Sequence, residues 1–359
     1  MRLSEELRRY ESRNVTYVGD AWPVFWERAS GSNVWDADGN RYIDLTSAFA
    51  VCGLGHGRRE LVDVMASQAG VLLHGMGDVH PTRLKVELCR KLSEFTYERW
   101  GWGAARTVLS NSGFEAVETA LKTALLATGR GGVLAFGNSY HGLGSGALMG
   151  TGMRKFREPF GKQLGGHTEW ISFPRDPEGM EVLERELAAI RPEGIGALLV
   201  EPVQGRGGVI VPPAGFLERL RGWCDVHGVV LVFDEIYTGF HRAGGMFACE
   251  REGVVPDLIC LGKAMSGGFP ISACVGKAVV MDCWPESTGE ALHTSTFLGH
   301  PVGCAMALEA LRLHDDPATA ATVARSGREL EAMLRGLESE EILEVRGRGT
   351  VSYTHLTLP

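Results

Sequence analysis

The sequence predicts an α/β protein whose main domain is a largely parallel sheet flanked by helices, with a smaller domain beside it. Short β-rich runs alternate with helical runs through the middle of the chain, which is typical of βαβ units. Two of these runs, GALLVEPV and GVVLVFDE, are continuously apolar and end in carboxylates, as parallel strands buried on both faces do. Because the carboxyl ends of parallel strands meet at one sheet edge, we expect the functional site at that edge.

The predicted elements follow one another in a regular order. A hairpin comes first, in VWDADGNRYIDL, where the turn sequence ADGN separates two alternating flanks. The β-rich runs of the core are TVLSNS, GVLAFGNS, EWISFP, IGALLVEPV, VVLVFDE, DLICLGKA and ISACVG. Helical runs lie between them at 113–127, 181–190 and 216–227.

This order suggests a division into domains. We expect residues 1–50 to form the N-terminal part of the small domain and residues 51–303 to form the large domain. Amphipathic helices in CAMALEALRLHDD and at 318–337 then predict that residues 304–350 start the C-terminal part of the small domain.

Composition and charge narrow the functional class. The chain has 359 residues, 44% of them hydrophobic, and a formal net charge of −8, which argues against a nucleic-acid or anionic-membrane partner. No apolar run approaches the roughly 20 residues that span a bilayer, and the charged start MRLSEELRRYESRN lacks an apolar signal segment. The eight cysteines have no metal-site or CxxC spacing, so we expect reduced thiols, a cytoplasmic location and no metal.

A lysine and an aspartate carry the predicted chemistry. Asp234 ends the apolar run 229–233, and Lys263 follows the next β-rich run, in LGKAMSGG. A lysine amine can form a Schiff base with the aldehyde of pyridoxal phosphate, and an aspartate can keep the pyridine nitrogen protonated. Taken singly, the lysine could be a solvated charge and the aspartate a helix start.

A candidate anion site lies at the start of a predicted helix. Ser112 precedes Glu115 by three positions in NSGFEAVETALK, which is the pattern of a capping box. The amides of Gly113 and Phe114, together with the Ser112 hydroxyl, could hold a phosphate at the helix N-terminus. A plain capped helix is the alternative explanation of the same pattern.

In six stretches the chain resembles the class III aminotransferases, which use pyridoxal phosphate and have the fold-type I architecture. These stretches are GSNVWDADGNRYIDL, NSGFEAVETALKTA, YHG, EPVQG, DEIYTGFHRAGGMFACE and HTSTFLGHP, and they occur in the family's order. The resemblance implies a mostly parallel seven-stranded sheet in the large domain and a homodimer with shared active sites.

The resemblance also implies roles for individual residues. Tyr140 and Ile236 would cover the two faces of the pyridine ring, and Thr296 would reach the cofactor phosphate of the neighbouring subunit. Glu201 and Phe49 would lie on the substrate side, although a surface carboxylate is an alternative for Glu201.

Three residues depart from the family pattern. Phe114 stands where Thr, Ala or Ser is usual, Tyr237 where Gln is common, and His300 where Asn is usual. Details of the substrate pocket are therefore not carried over from the family.

The predicted activity is transfer of an amino group from an amine or amino-acid donor to an oxo acid, with Lys263 as covalent anchor and general acid/base. Two alternatives stay open: an aminomutase of the glutamate-1-semialdehyde type and a non-catalytic cofactor-binding protein on the same scaffold. P-loop, dinucleotide-binding, serine-hydrolase and H-E-x-x-H motifs are all missing from the sequence, which disfavours nucleotide folds and zinc or serine hydrolases.

The last residues, VSYTHLTLP at 351–359, are expected to be non-native. They can be back-translated as GTCTCTTATACACATCTGACGCTGCC, which is similar to a transposon-type sequencing adapter; the alternative is a genuine strand of β-branched residues. The family usually continues well past a stretch such as EILEVRGRGT. We therefore expect a C-terminally truncated chain, with apolar faces at 323–337 and 342–345 partly uncovered and inefficient turnover.

Overall fold

The computed structural model describes residues 3–14, 16, 23–337 and 342–356, and within them twelve strands form three sheets. The strands are β1 (Trp26–Ser30), β2 (Asn33–Asp36), β3 (Arg41–Ile43), β4 (Ala105–Ser110), β5 (Gly132–Phe136), β6 (Thr168–Ile171), β7 (Ile195–Val200), β8 (Val230–Asp234), β9 (Leu258–Leu261), β10 (Ser272–Lys277), β11 (Ile342–Arg348) and β12 (Val351–Leu356).

Helices alternate with these strands. They are α1 (Leu3–Tyr10), the short turn α2 (Ser47–Ala50), α3 (Arg59–Val71), α4 (Arg83–Ser93), α5 (Gly113–Thr128), α6 (Ser145–Gly150), α7 (Arg154–Arg157), α8 (Pro177–Ala189), α9 (Phe216–His227), α10 (Ala278–Met281), α11 (Pro301–His314) and α12 (Pro317–Arg335). A π-helical turn at Glu94–Glu98 extends α4, and short 3-10 turns occur at Glu158–Phe160, Pro192–Gly194, Ala248–Glu252 and Lys263–Met265.

The main sheet has seven strands in the order β4-β10-β9-β8-β7-β5-β6. Strand β10 runs antiparallel to both of its neighbours, and the pairs from β9 to β6 are parallel. The predicted mostly parallel, seven-stranded α/β fold is therefore confirmed.

The strands of this sheet are apolar on both faces because helices cover both. In β5, Leu134 and Phe136 belong to one buried cluster, whereas Val133 and Ala135 belong to the cluster on the other face. Neighbouring side chains of a strand point to opposite faces, so a strand buried on both sides has no polar alternation.

The sheet topology brings the functional segments to one edge. Glu201 directly follows β7, Asp234 ends β8, and the turn at Lys263 follows β9. Ser112 and Tyr140 follow β4 and β5, which run in the same direction as these strands. The carboxyl edge predicted to hold the site thus collects all five residues.

The predicted hairpin near the N-terminus is confirmed as β2 and β3, which pair antiparallel. Its turn contains Gly39 at a φ of +86°, a left-handed conformation that glycine adopts without steric cost. The carboxylate of Asp36 closes the turn by accepting hydrogen bonds from the backbone N–H groups of Asp38 and Asn40. This hairpin and β1 form a separate three-stranded sheet.

Two features near the C-terminus bear on the expectations from the sequence. Strand β12 pairs antiparallel with β11, so the segment from Val351 continues the strand pattern up to Leu356. The predicted division into domains stays a prediction; residue 303 lies in α11, which packs on α3 and α4, and Val302 and Met306 are buried in one cluster with Leu61 of α3.

Candidate active site

Lys263 opens its 3-10 turn directly after β9, with a left-handed backbone at a φ of +43°. In a residue with a side chain such a conformation costs on the order of 1–3 kcal/mol and persists only where the surrounding structure imposes it. Loss of contact with water lowers the pKa of the Lys263 ammonium, and the negative charges of Asp234 and Glu201 oppose that shift. The turn thus presents a partly desolvated amine near two carboxylates.

Two buried histidines connect this turn to the end of α11. Nε2 of His314 lies 3.3 Å from the carbonyl oxygen of Ala264, and Nε2 of His241 lies 2.9 Å from the carbonyl oxygen of His314. Both side chains are buried, and burial lowers the pKa of His314 to about 4. Near neutral pH His314 is therefore an uncharged donor that ties the end of α11 to the turn of Lys263.

Asp234 is buried at the end of β8, and its carboxylate is held at both oxygens. Nδ1 of His141 lies 2.7 Å from Oδ2, and the backbone N–H of Ile236 donates to Oδ1 at 3.1 Å. The side chain of His141 is fully buried, and its Nε2 has no hydrogen-bond partner among the described residues. The two donors fix the direction in which the carboxylate points.

The start of α5 has the predicted capping box. The carboxylate of Glu115 accepts hydrogen bonds from the backbone N–H of Ser112 at 2.7 Å and from its hydroxyl at 2.8 Å. The first N–H groups of a helix have no intrahelical acceptor, so those of Gly113 and Phe114 remain available to an anion. Because the Ser112 hydroxyl already donates to Glu115, these two amides are the better donors to a phosphate.

Glycines make room around this helix start. A side-chain carbon added at Gly113 would lie 2.9 Å from Cδ1 of Ile236, so the backbone of α5 and the Ile236 side chain are in close contact. Two further glycines leave room for the Phe114 side chain. A side-chain carbon added at Gly142 would lie 2.4 Å from Cβ of Phe114, and one added at Gly144 would lie 2.3 Å from its Cδ2. The loop HGLG therefore explains how a large residue replaces the small one usual in the family.

Glu201 is buried rather than on the surface, which excludes the surface-carboxylate alternative. Its carboxylate accepts hydrogen bonds from the backbone N–H of Tyr140 at 2.9 Å and of Gly205 at 3.1 Å. Burial raises the pKa of Glu201 to about 7, and the nearby Asp234 adds to the increase. Glu201 therefore positions the segment that carries Tyr140 and has no ion pair with an arginine among the described residues.

The ring of Tyr140 is half-buried and packs with other side chains. The guanidinium of Arg206 lies 4.5 Å from its centroid, and the ring of Phe156 meets it edge-on at 5.6 Å. His141, the residue after Tyr140, binds Asp234, and the N–H of Ile236 binds the same carboxylate, so the segments that carry Tyr140 and Ile236 both reach Asp234.

Two predicted residues lie on the outside of the site. Phe49 is 80% exposed, on a turn in which all four residues of α2 have positive φ values. This turn neighbours Lys263, because a side-chain carbon at Gly53 would lie 3.3 Å from Cβ of Ala264. Thr296 is exposed as well, and the preceding Ser295 accepts a hydrogen bond from Nδ2 of Asn111.

The site therefore has two parts. We call His141, Glu201 and Asp234 the buried wall, and Phe49, Arg206 and Thr296 the exposed rim. The structure brings Lys263, Asp234, Glu201, Tyr140, Ile236 and the start of α5 together, whereas Phe49 and Thr296 face outward.

Four contributing residues escaped the sequence interpretation. His141 lies in the YHG motif without an assigned role, and Arg206 follows directly on EPVQG. Tyr237, recognised only as a departure from the family, has its ring centroid 5.4 Å from Nζ of Lys263. His314, at the end of α11, had no signal in the sequence at all.

The chemistry of these groups fits pyridoxal phosphate. An amine with a lowered pKa suits a covalent bond to an aldehyde, and a buried, doubly held carboxylate suits a protonated ring nitrogen. The unpaired amides at the start of α5 suit the phosphate, and Gly113 lets that backbone approach closely.

Fold and site together define a pyridoxal-phosphate-dependent enzyme of fold type I. The family model for "Aminotransferase class-III" matches residues 16–357. The chain belongs to the class III aminotransferases, and pyridoxal phosphate is its cofactor.

Individual relatives agree with this assignment. The chain is 36% identical over 359 residues to the 5-aminovalerate aminotransferase DavT of Pseudomonas aeruginosa, covering 96% of this chain and 82% of the relative. It is 33% identical over 366 residues to the 4-aminobutyrate aminotransferase GabT of Escherichia coli, covering 98% and 83%. The crystal structure of taurine:2-oxoglutarate aminotransferase from Bifidobacterium kashiwanohense, in complex with PLP and glutamate, matches with a TM-score of 0.87 at 25% identity and covers 98% and 81%.

The predicted aminotransferase activity is thereby confirmed and takes precedence over the aminomutase and non-catalytic alternatives. All eight cysteines are free thiols. Across the residues that the structure describes, no helix has the length and apolarity to cross a lipid bilayer, and no cluster of His, Cys, Asp and Glu has the makings of a metal site.

Proposed function

We propose that Lys263 holds pyridoxal phosphate covalently and that Asp234 lies against its ring nitrogen. The observation that carries this proposal is the position of the Lys263 amine, whose pKa is lowered by burial, at the same sheet edge as Asp234 and the start of α5.

The chemistry then divides between cofactor and chain. Pyridoxal phosphate, when bound, supplies an aldehyde that reacts with amines and a ring that accepts electrons. The free amine of Lys263 would take a proton from the substrate carbon and return it as an ammonium, which a lowered pKa favours. Asp234, oriented by His141, would keep a proton on the ring nitrogen.

Other residues would hold the cofactor in place. The amides of Gly113 and Phe114 at the start of α5 would bind the phosphate, and Ser112, whose hydroxyl donates to Glu115, would lie beside it. Tyr140 and Ile236 would cover the two ring faces; in support, His141, which follows Tyr140 in the chain, and the N–H of Ile236 hold different oxygens of the Asp234 carboxylate.

We further propose that the enzyme works as a homodimer in the cytoplasm. Thr296 is exposed beside the apolar Phe297 and Leu292, which are 55% and 71% exposed, so a second copy could cover this segment and receive Thr296 at its phosphate. Eight free thiols are typical of a reducing compartment.

For the substrate, we propose an acid with a terminal amino group as donor and an oxo acid as acceptor. The relatives named for 5-aminovalerate, 4-aminobutyrate and taurine all act on a terminal amine with an acidic group at the other end. Glu201 and Phe49 would border this substrate on the inner and outer sides.

The assignment of Lys263 is tested by replacing it with Ala, with Lys162→Ala as the matched control on an exposed lysine. We expect Lys263→Ala to abolish amino transfer and the visible absorption band that covalent cofactor gives, and to leave the fold intact, because the change opens no large cavity. Lys162→Ala should behave as the unchanged enzyme. A Lys263→Ala protein that keeps both the band and the activity would exclude Lys263 as the anchor.

The donor class is tested by comparing 5-aminovalerate, 4-aminobutyrate, taurine and an alkylamine of equal length that has no acid group, each with 2-oxoglutarate and with pyruvate. We expect the acidic donors to react at least tenfold faster in kcat/KM, about 1.4 kcal/mol, because a charge-assisted contact holds their acid group. An equal kcat/KM with the alkylamine that has no acid group would contradict the proposed donor class.

A further inference from the structure

Arg206 lies at the tip of a loop whose two sides are joined. The backbone N–H of Gln204 donates to the carbonyl of Ile210 at 3.1 Å, and the N–H of Ile210 donates back to Gln204 at 2.9 Å. The same loop begins at Glu201, which binds the backbone of Tyr140. Arg206 therefore projects from a segment anchored to the buried wall.

The guanidinium of Arg206 is placed by aromatic rings. It lies 4.5 Å from the centroid of Tyr140 and 4.9 Å from that of Phe156. Nζ of Lys155 lies 4.9 Å from the same Phe156 ring, so a second cation contacts this ring. Stacking on aromatic rings orients a guanidinium and leaves its N–H donors free for an anion.

The charge of Arg206 has no carboxylate partner within the part of the chain that the structure describes, whereas the exposed Arg154 is paired with Glu158 at 2.7 Å. This positive charge also reaches the reaction centre, because it contributes to the lowered pKa of Lys263. Arg206 is thus an oriented, exposed cation that contacts Tyr140, at the sheet edge that also carries Lys263.

We propose that Arg206 binds the acid group of the substrate and so selects acidic donors and oxo-acid acceptors. The inference rests on the proposed function of Lys263 and deepens it by naming a specificity residue. A guanidinium presents two parallel N–H groups that match a carboxylate, and a fixed ring stack reduces the entropy lost when the pair forms. The ammonium of Lys155 would also attract the acid group of the substrate, but it lacks the two parallel N–H groups of a guanidinium.

The test uses the holoenzyme with Arg206→Gln, Arg206→Met and Arg206→Lys, and with Arg154→Gln as the matched control on an exposed arginine of α7. The first readout is the dissociation constant of glutarate, an unreactive dicarboxylate, measured by calorimetry. The second is KM for 2-oxoglutarate compared with butanal, an acceptor without a carboxylate. Reduction with borohydride and peptide mapping verifies in each variant that Lys263 carries the cofactor.

We expect Arg206→Gln and Arg206→Met to weaken glutarate binding and raise KM for 2-oxoglutarate about tenfold or more, with butanal unchanged within twofold. Arg206→Lys should fall between them and the unchanged enzyme, since it keeps the charge and loses the paired N–H groups. Arg154→Gln should have no effect on either acceptor.

Unchanged glutarate binding in Arg206→Gln and Arg206→Met would overturn the inference. An equal loss for 2-oxoglutarate and butanal would overturn it as well, because Arg206 would then act by supporting Tyr140. If the label in the unchanged enzyme appears on another lysine, the proposed function of Lys263 fails instead, and the glutarate measurement still reports on Arg206.

Discussion

The buried wall and the exposed rim of the site are built in different ways. In the wall, the carboxylates of Asp234 and Glu201 each accept two hydrogen bonds, three of the four donors being backbone N–H groups. In the rim, Phe49 and Thr296 face outward, and Arg206 is held by aromatic stacking. The side chains of the wall are therefore held in one position by hydrogen bonds, whereas those of the rim are exposed and can contact a ligand or a second subunit.

This difference predicts which kinetic or stability parameter a substitution in each part will change. A change in the wall alters a buried charge or leaves a buried donor without its acceptor, so it should affect kcat or stability strongly. A change in the rim alters contacts with a ligand and should appear mainly in KM.

The largest effect is expected at Asp234. Asp234→Ala should lower kcat by about 100-fold or more and leave most of the cofactor bound, because a preorganised charge is lost while the other contacts remain. Steady-state kinetics and the cofactor content of the purified protein measure the two quantities. Near-normal turnover would mean that another carboxylate, Glu201 for example, serves the ring nitrogen.

Titration of Glu201 should make the stability of the protein depend on pH. Its pKa is raised to about 7 in the folded protein, so the folded state keeps a proton that the unfolded state has already lost above its ordinary value near 4.5. The free energy of unfolding should therefore fall by about 2 kcal/mol as pH rises from 5 to 7, since each pKa unit is worth about 1.4 kcal/mol.

Glu201→Gln is the control for this slope. Urea unfolding at several pH values should give a decline in the unchanged protein that is smaller or missing in the variant, whatever the variant's absolute stability. The same slope in both proteins would place the titrating group elsewhere.

His141 tests whether the wall acts through orientation. His141→Phe keeps a ring in the buried position and removes the donor to Asp234, so kcat should fall about tenfold, about 1.4 kcal/mol, with KM nearly unchanged. The pH at which the visible absorption band shifts should move as well, since Asp234 loses its partner. If only thermal stability changes, His141 is a packing residue.

The smallest effect is expected in the rim, at Phe49. Its backbone has a φ of +58°, which glycine adopts more readily, so Phe49→Gly should leave the melting temperature nearly unchanged and raise KM about threefold. Val226→Gly is the matched control: Val226 is also exposed but lies in α9, where glycine should cost about 1 kcal/mol. A loss of stability at Phe49 equal to that at Val226 would show that the turn is not strained.

The same division governs what the sequence could predict. The parallel strands, the capping box at Ser112 and the β2–β3 hairpin depend on neighbours in the chain, and local patterns predicted them. The contacts of His141 with Asp234 and of His314 with Ala264 join distant segments, which no local pattern records.

Two further features depended on packing around a segment rather than on its own residues. Phe114 fits because Gly142 and Gly144 lie against it, and the left-handed turn that carries Phe49 is built from residues with no preference for that conformation. The pairing of β12 with β11 likewise could not be seen in the composition of the segment alone. The origin of residues 351–359 stays a prediction.

The identity of the cofactor lysine is the central claim, and one measurement tests it most directly. The holoenzyme is reduced with borohydride, digested, and mapped by mass spectrometry for the phosphopyridoxyl group. The structure predicts the label in the peptide that contains Lys263, which follows β9 at the carboxyl edge of the sheet. Recovery of the label on any other lysine would contradict the assignment of the site.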